Sequence, residues 1–385
     1  MPLGTMRSAL PHVGFIAVMV FLSMYSRLIM SPLLVYLQQD LVIGPARATR
    51  LFLTLSVAYS AAILGSGFLA ERIIHRRTIA LSAALLGTGL LIVAVAPNLP
   101  VMHLAFAVIG SGAGLYPPAG VATLTSLVSD DIRGRAIALH ETGPNVAFVL
   151  APLVVSAGVL FLPWRWIPAI SGAAALTAAL FFERYSVAGG FTGERMRLGN
   201  VASLMRKGEF WAILVLFCLA ASSTMGVFAI LPTYLVTTRG YEAPLVNTLI
   251  SLSRISGVAT LFLSGFLIDR MGVRRLVGII LAVTGVLTIG IGALTGNAML
   301  AAVFLQPVII TAFFPAVVSA IADLGPPQIR NVAVSVIVPA VNIVAAGLFP
   351  ALMGYLTEAG NVEGGFIGLG VCILAGIAMV PMLKR

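Results

Sequence analysis

Charge is the scarcest commodity in this chain. Asp, Glu, Lys and Arg make up only 9% of 385 residues, while 59% are hydrophobic and the mean hydropathy is +1.07. A soluble domain carries roughly a quarter of its residues as charged ones, so that class is excluded. The same apolar excess excludes a disordered chain. Cysteine is nearly absent: Cys218 and Cys372 both lie inside long apolar runs, which leaves no disulfide framework and no metal-ligand spacing. No glycine-rich phosphate loop, no H-E-x-x-H and no nucleophile–base spacing occurs, so neither an enzyme nor a cofactor is expected.

What the chain does have is apolar length. A bilayer-spanning helix needs about 20 mostly apolar residues. Twelve such runs can be placed, near 13–37, 49–70, 78–97, 101–127, 136–160, 165–184, 210–236, 246–268, 274–295, 299–322, 332–356 and 364–383. Backbone groups in lipid must be satisfied within their own segment, so these runs are expected to be helices. The first run is too long for a cleavable signal and lacks a small-residue cleavage site, and is read as a span.

A net charge of +10 would suit a nucleic-acid binder, but its distribution points elsewhere. With the N-terminus inside, Arg72, Arg76, Arg77, Arg133, Arg135, Arg184, Arg206, Lys207, Arg270, Arg274 and Arg275 all fall on one side. Only Arg47, Arg50, Arg165 and Arg239 fall on the other. This is the positive-inside pattern, and it places both termini in the cytoplasm of an inner membrane. The longest polar connection, 186–209, reads as a cytoplasmic linker between bundles at 1–185 and 210–385. No nucleic-acid partner is expected.

Two connections repeat. Gly67-Phe68-Leu69-Ala70-Glu71-Arg72-Ile73-Ile74-His75-Arg76-Arg77 and Gly265-Phe266-Leu267-Ile268-Asp269-Arg270-Met271-Gly272-Val273-Arg274-Arg275 each close one apolar run just before another. They resemble the loop G-x-L-x-D-R-x-G-x-R/K-R/K of the major facilitator superfamily, found between helices 2 and 3 and again between 8 and 9. The first copy departs by Glu71 for Asp and Ile74 for Gly, which bears on its turn geometry. Arg133-Gly134-Arg135-Ala136, Ala151-Pro152 and Trp164-Arg165-Trp166 resemble further motifs of the same family. The resemblance implies an all-α polytopic membrane protein, twelve transmembrane helices in two pseudo-symmetric six-helix bundles. It also implies a gate in which Glu71 and Asp269, with Arg72 and Arg270, latch onto helix ends when one side is closed. A carboxylate at a helix N-terminus gains roughly 0.3–1 kcal/mol, up to ~2 when partly buried, which suits a contact that must break each cycle. Topology alone is the competing reading of the basic residues.

Substrate class turns on charge inside the membrane. A charge at the bilayer centre costs at least ~2.5–3.5 kcal/mol, and such residues usually face a cavity. Arg27 in helix 1 and Arg254 in helix 8 stand near mid-span, one per half. Arginine offers a permanent charge and a planar fork to a carboxylate or phosphate. The competing readings are a buried acid partner for each, or a snorkelling Arg27. Asn247, Ser251 and Arg254 share one helical face. An arginine on helix 8 resembles the monocarboxylate and other organic-anion branches of the superfamily. Further candidate binding residues are Tyr25, Tyr59, Tyr116, Asn145, Gln306, Phe313 and Asn342, each of which is as readily packing or helix–helix contact.

In helix 5, His140-Glu141-Thr142-Gly143-Pro144-Asn145 offers two proton carriers, since a buried carboxyl and an imidazole both titrate within reach of neutrality. Neighbours on a helix point about 100° apart, so these two need not touch. Protonation of Glu141 after the anion binds is expected to loosen it for release. The expectation is a secondary transporter of a small organic anion, most simply a carboxylate, coupled to a proton or counter-ion. One chain is enough to form the pathway, so a monomer in the lipid bilayer suffices. A multidrug exporter and an anion exchanger are the alternatives. An exporter of cations would want an acidic cavity, and helices 1, 2, 4 and 7 contain no Asp or Glu within their apolar runs.

Overall fold

The structure is a computed structural model. It describes residues 3–193, 204–322, 324 and 327–383, and their side chains except at 257–269, 319, 322 and 327–332. No strand occurs among the described residues. Among the described residues, eleven helices are long and apolar enough to cross a membrane. In chain order with the helix between them they are α1 Met6–Leu41, α2 Pro45–Ala70, α3 His75–Val95, α4 Leu99–Leu127, α5 Asp130–Gly158, α6 Trp166–Tyr185, α7 Gly208–Thr238, α8 Ala243–Met271, α9 Val273–Ala293, α10 Gly296–Val318, α11 Ala333–Glu358 and α12 Val362–Met382. All twelve expected runs are helical, and several begin a turn or more earlier than hydropathy marks them. At two of these starts a side chain caps the helix: Asn98 accepts the Val101 amide before α4, and Thr5 accepts the Ser8 amide before α1.

The chain divides into two units, Met1–Leu41 with Thr54–Met196, and Val42–Leu53 with Arg197–Arg385. The segment Val42–Leu53, which includes the start of α2, therefore groups with the second unit. Within it, the Ala46 amide at the head of α2 donates to Glu358 Oε1 at 3.0 Å. The core of the first unit joins Val13, Ile16 and Met19 of α1 to Ile79 and Ala83 of α3, Tyr116 and Leu124 of α4, Ala136 of α5 and Phe182 of α6.

The two units repeat internal contacts as well as sequence. In the first, α3 crosses α6 at Gly87 and Gly172, and a Cβ built on either would lie 2.7 Å from the other's carbonyl oxygen. The same pair, displaced by the offset that separates the two loops, is Gly285 of α9 and Gly370 of α12, with 3.0 and 2.6 Å. Only glycine allows backbones to approach this closely.

A second repeated contact was not evident from the sequence. Arg165, just before α6, reaches Asp40 of α1 through Nε at 2.9 Å and Nη2 at 2.7 Å, and gives Nη1 to the Ala94 carbonyl near the end of α3 at 3.1 Å. In the second unit Arg239, just after α7, meets Glu363 of α12 at 3.6 Å and the Gly292 carbonyl near the end of α9 at 3.2 Å. Glu363 falls at the repeat of Arg165, and Arg239 within one residue of the repeat of Asp40. The clamp is the same and its charges are exchanged.

The signature loops differ as their sequences suggest. Gly272, heading α9, has φ 76° and ψ 155°, a region essentially reserved for glycine. Ile74, in the same place before α3, has φ −66° and ψ 150°. Its turn is closed instead by the segment after α6: His75 and Arg76 amides donate to Phe191 and Gly189 carbonyls at 3.0 and 2.8 Å, and the Gly193 amide to Ala70 at 2.9 Å. The opening stretch of the 186–209 linker is thus bound to the first unit, where it satisfies amides at the start of α3.

Candidate functional site

In the first unit, side chains from α1, α2, α4 and α5 enclose a cavity of about 160 Å³ lined by Arg27, Tyr59, Tyr116, His140 and Glu141, with Ser23 and Met24 beside them. Four of the proposed binding or proton-carrying residues other than Arg27 therefore meet at one place. The Arg27 guanidinium lies 4.3 Å above the Tyr59 ring, an arrangement worth roughly 0.5–1 kcal/mol in water and ~2 or more when desolvated. The ring holds the cation by its face.

Tyr116 precedes Pro117 within a continuous α4 and is buried. Its hydroxyl lies 3.0 Å from the Ile16 carbonyl, to which it donates, and 2.9 Å from His140 Nε2. His140 Nδ1 lies 3.0 Å from Glu141 Oε1. The two neighbours on α5 do touch, contrary to the expectation from helical angle, because the glutamate stem is long enough to fold back over the preceding residue. His140 is buried, whereas the Glu141 side chain is 55% exposed at the cavity end of the chain.

Three heavy-atom contacts, Ile16 O to Tyr116 O, Tyr116 O to Nε2, and Nδ1 to Oε1, need three protons to be three hydrogen bonds. A tyrosine, a neutral imidazole and a carboxylate bring two. With two, the tyrosine must turn to Nε2 and leave the Ile16 carbonyl, or the Nδ1–Oε1 contact opposes two acceptors. A third proton, on the imidazole or on Glu141, satisfies all three contacts.

The second unit treats its cation differently. Residues Ser222–Gly226 of α7 are π-helical, which disturbs the regular amide–carbonyl ladder and turns carbonyls outward. Arg254 of α8 gives Nη2 to the Thr224 carbonyl at 3.2 Å and sits 5.2 Å from the Phe228 ring, and Gln306 of α10 gives Nε2 to the Ser223 carbonyl at 2.6 Å. Arg254 and Gln306 are both buried. Ser251 donates to the Asn247 carbonyl one turn before it at 2.9 Å. Asn247 is 1% exposed, and among the described residues neither its Oδ1 nor its Nδ2 has a hydrogen-bond partner. A buried amide left so costs about 1–3 kcal/mol, and such groups are uncommon without a functional reason.

The remaining sequence-predicted residues lie elsewhere. Tyr25 points to Ser171 of α6 at 3.3 Å and stacks on Phe21. Asn145 gives its amide to the Glu141 carbonyl within α5 at 2.8 Å. Phe313 is fully buried against Phe217 and Phe314. Asn342 is buried at the edge of the π-helical stretch Ile343–Leu348 of α11. Glu71, Arg72 and Arg270 are exposed at the loops, while the Asp269 side chain lies outside the described residues. The sequence reading missed Ser23, Met24 and the Ser223–Thr224 carbonyls; the polar run Ser222-Ser223-Thr224 in the middle of an apolar span was the available signal.

Long apolar helices, internally repeated and with arginines among them, define a membrane transporter rather than an enzyme. The sequence profile of the Major Facilitator Superfamily matches residues 16–262 and 244–385, and the chain belongs to that family. Solved structures similar to it include a bacterial homolog of the human lysosomal transporter Spinster in an inward-facing and occupied conformation, at 17% identity and a TM-score of 0.75, covering 97% of this chain and 94% of that one. The nucleoside transporter NupG aligns at 13% identity and 0.80, over 97% and 99%. A POT family transporter in complex with a thioalcohol-conjugated peptide aligns at 15% and 0.78, over 97% and 95%. No curated protein sequence matches the chain. At these identities the likeness establishes the fold alone.

Proposed function

We propose that the chain is a secondary transporter of a small organic anion, most simply a carboxylate, that works by alternating access and couples transport to a proton held on His140 and Glu141. The observation that carries this reading is the single cavity that joins Arg27 to the Glu141–His140–Tyr116 chain. Arg27 supplies fixed charge and the chain supplies the change of charge. Arg254, with Asn247, Ser251 and Gln306 around it, is the second half's anion-binding group. Glu71, Arg72, Asp269 and Arg270 form the gate on the basic side, and both termini lie in the cytoplasm of an inner membrane.

Charge counting reverses one sequence-based expectation. Arg27 beside an ionised Glu141 and a neutral His140 sums to zero, and one more proton makes the cavity positive. Protonation therefore tightens an anion instead of loosening it. By linkage, each ligand raises the affinity for the other by the same factor, which is the behaviour of a symporter.

The test is to compare two modes in proteoliposomes with a panel of monocarboxylates: accumulation driven by a proton gradient, and exchange of labelled for unlabelled substrate. Glu141→Gln leaves Arg27 and a polar partner for His140 but removes the ionisable carboxyl, so exchange is retained and proton-driven accumulation lost. His140→Ala asks the same of the imidazole. Full accumulation by both variants would leave an anion exchanger as the better reading. Binding of organic cations in preference to every anion would favour a drug exporter.

A further inference from the structure

The close crossing of α3 and α6 at Gly87 and Gly172 has a second effect on the side nearer the basic loop. There the facing residues are small, Ala80, Ala84 and Ala179, and they leave a trough of about 500 Å³. Ala179 is buried at its base, while Leu81 and Leu180 stand at its sides 39% and 73% exposed. From Arg77 to Ala84 the trough runs roughly 10 Å along α3 at 1.5 Å per residue. It is separate from the Arg27 cavity and shares no lining residue with it.

Its mouth is polar and cationic. Arg77 and Glu183 line it. Glu183 Oε1 lies 3.6 Å from Arg77 Nε and 3.7 Å from Arg76 Nη2, and Arg76 also donates to the Ser186 carbonyl at 3.3 Å. Arg184 follows directly, exposed. Arg76 and Arg77 against one carboxylate leave one positive charge at the mouth, and Arg184, whose guanidinium lies 5.6 Å from the Tyr185 ring, adds a second at the same helix end. The second carboxylate oxygen, Glu183 Oε2, is buried and has no hydrogen-bond donor among the described residues. An apolar slot that ends in excess positive charge and an unmet acceptor fits a particular shape of ligand: one hydrocarbon chain, a phosphate, and a headgroup hydroxyl.

We propose that this trough binds one anionic phospholipid from the leaflet on the basic-loop side, with an acyl chain between α3 and α6, the phosphate at Arg77 and Arg184, and a headgroup hydroxyl donating to Glu183. Basic pockets between spans on the cytoplasmic side suit such headgroups, and each arginine near a membrane surface contributes about 1 kcal/mol toward anionic lipid, or roughly fivefold in affinity. Because Arg76 and Glu183 also hold the start of α3 beside the first signature loop, the lipid would brace the loop proposed as a gate.

The experiment is native mass spectrometry of the full-length, delipidated protein titrated separately with phosphatidylglycerol and phosphatidylcholine. The expected result is one saturable phosphatidylglycerol adduct, held roughly five- to thirtyfold more tightly than phosphatidylcholine, by one to two arginine contributions. Arg77→Gln combined with Arg184→Gln brings the two lipids level. Ala84→Phe fills the trough and weakens both, with folding checked by thermal unfolding. Should the arginine double variant fail to fold, the wild-type preference and Ala84→Phe still decide. Unsaturable adducts with no headgroup preference, a preference that survives loss of both arginines, or wild-type binding by Ala84→Phe each overturn the proposal.

Discussion

The exchanged-charge clamp gives a quantitative test of the internal repeat. In Arg165→Ala the first unit loses a two-point contact to Asp40, a cation at the carbonyl end of α3, and a guanidinium 4.9 Å from the Trp164 ring. The partners' side chains are 29% and 39% exposed, so the ion pair is discounted to about 0.2–1 kcal/mol. The helix-end contact adds roughly 0.3–1 kcal/mol, and the ring contact about 0.5–1. The contributions overlap, so a total near 1–2 kcal/mol is expected, or roughly 2–6 °C in the unfolding midpoint in detergent. Asp40→Asn keeps two of the three contacts and should cost under about 1 kcal/mol. The decisive protein carries Asp40→Arg and Arg165→Glu together, which gives the first unit the arrangement the second already uses at Arg239 and Glu363. It should melt well above Arg165→Ala, because an arginine at position 40, at the end of α1, can reach the α3 carbonyl as Arg239 reaches that of α9. If the exchanged protein melts no higher than the single variant, the two clamps are not equivalent and their repetition is coincidental.

Arg254→Ala should weaken binding of the true substrate by about 2–5 kcal/mol, roughly 30-fold to several thousand-fold, in equilibrium binding to protein that remains folded; Arg254→Lys should restore only part, since a point charge lacks the fork. Near wild-type affinity in the alanine variant would remove Arg254 from the binding site. Gly272→Ile, the residue that the first loop uses in that position, should destabilise by about 1–3 kcal/mol because φ 76° with ψ 155° is closed to it. The reverse change at position 74 forces no such conformation, so equal losses at both positions would contradict the backbone argument.

The parts of the structure that the sequence disclosed are those fixed by local chemistry. Each apolar run became a helix because lipid permits little else, and the departure of Ile74 from glycine announced a turn of different geometry. What replaces that turn's closure was hidden, since the carbonyls of Gly189 and Phe191 arrive from beyond α6. The clamp was hidden because its two copies exchange acid and base, so comparison of like with like passes over them. Tyr25 and Tyr116 looked equally suited to a cavity. Only packing separates them: one meets Ser171, the other meets His140. The His140–Glu141 contact escaped because helical angle describes where side chains start, not where a flexible stem lets them end. The π-helical stretch that offers Thr224 to Arg254 has no sequence signal beyond three polar residues in an apolar run.

On the proposed function, the unequal settings of the two arginines would give coupling to one half. Arg254 donates to a main-chain carbonyl, a neutral group that cannot titrate, and Gln306 occupies the adjacent one. Neither contact changes charge, so on the proposed reading that half would bind an anion without linking it to protons through those groups. Arg27 rests on a tyrosine face and shares its cavity with a carboxylate and an imidazole. A proton arriving there would change the net charge of the cavity and let the Tyr116 hydroxyl donate to the Ile16 carbonyl of α1 while the other two contacts of the chain are also met. That carbonyl lies eleven residues before Arg27 on the same helix. In the proposed cycle α1, which holds both that carbonyl and Arg27, would be the element through which proton occupancy and anion affinity are joined.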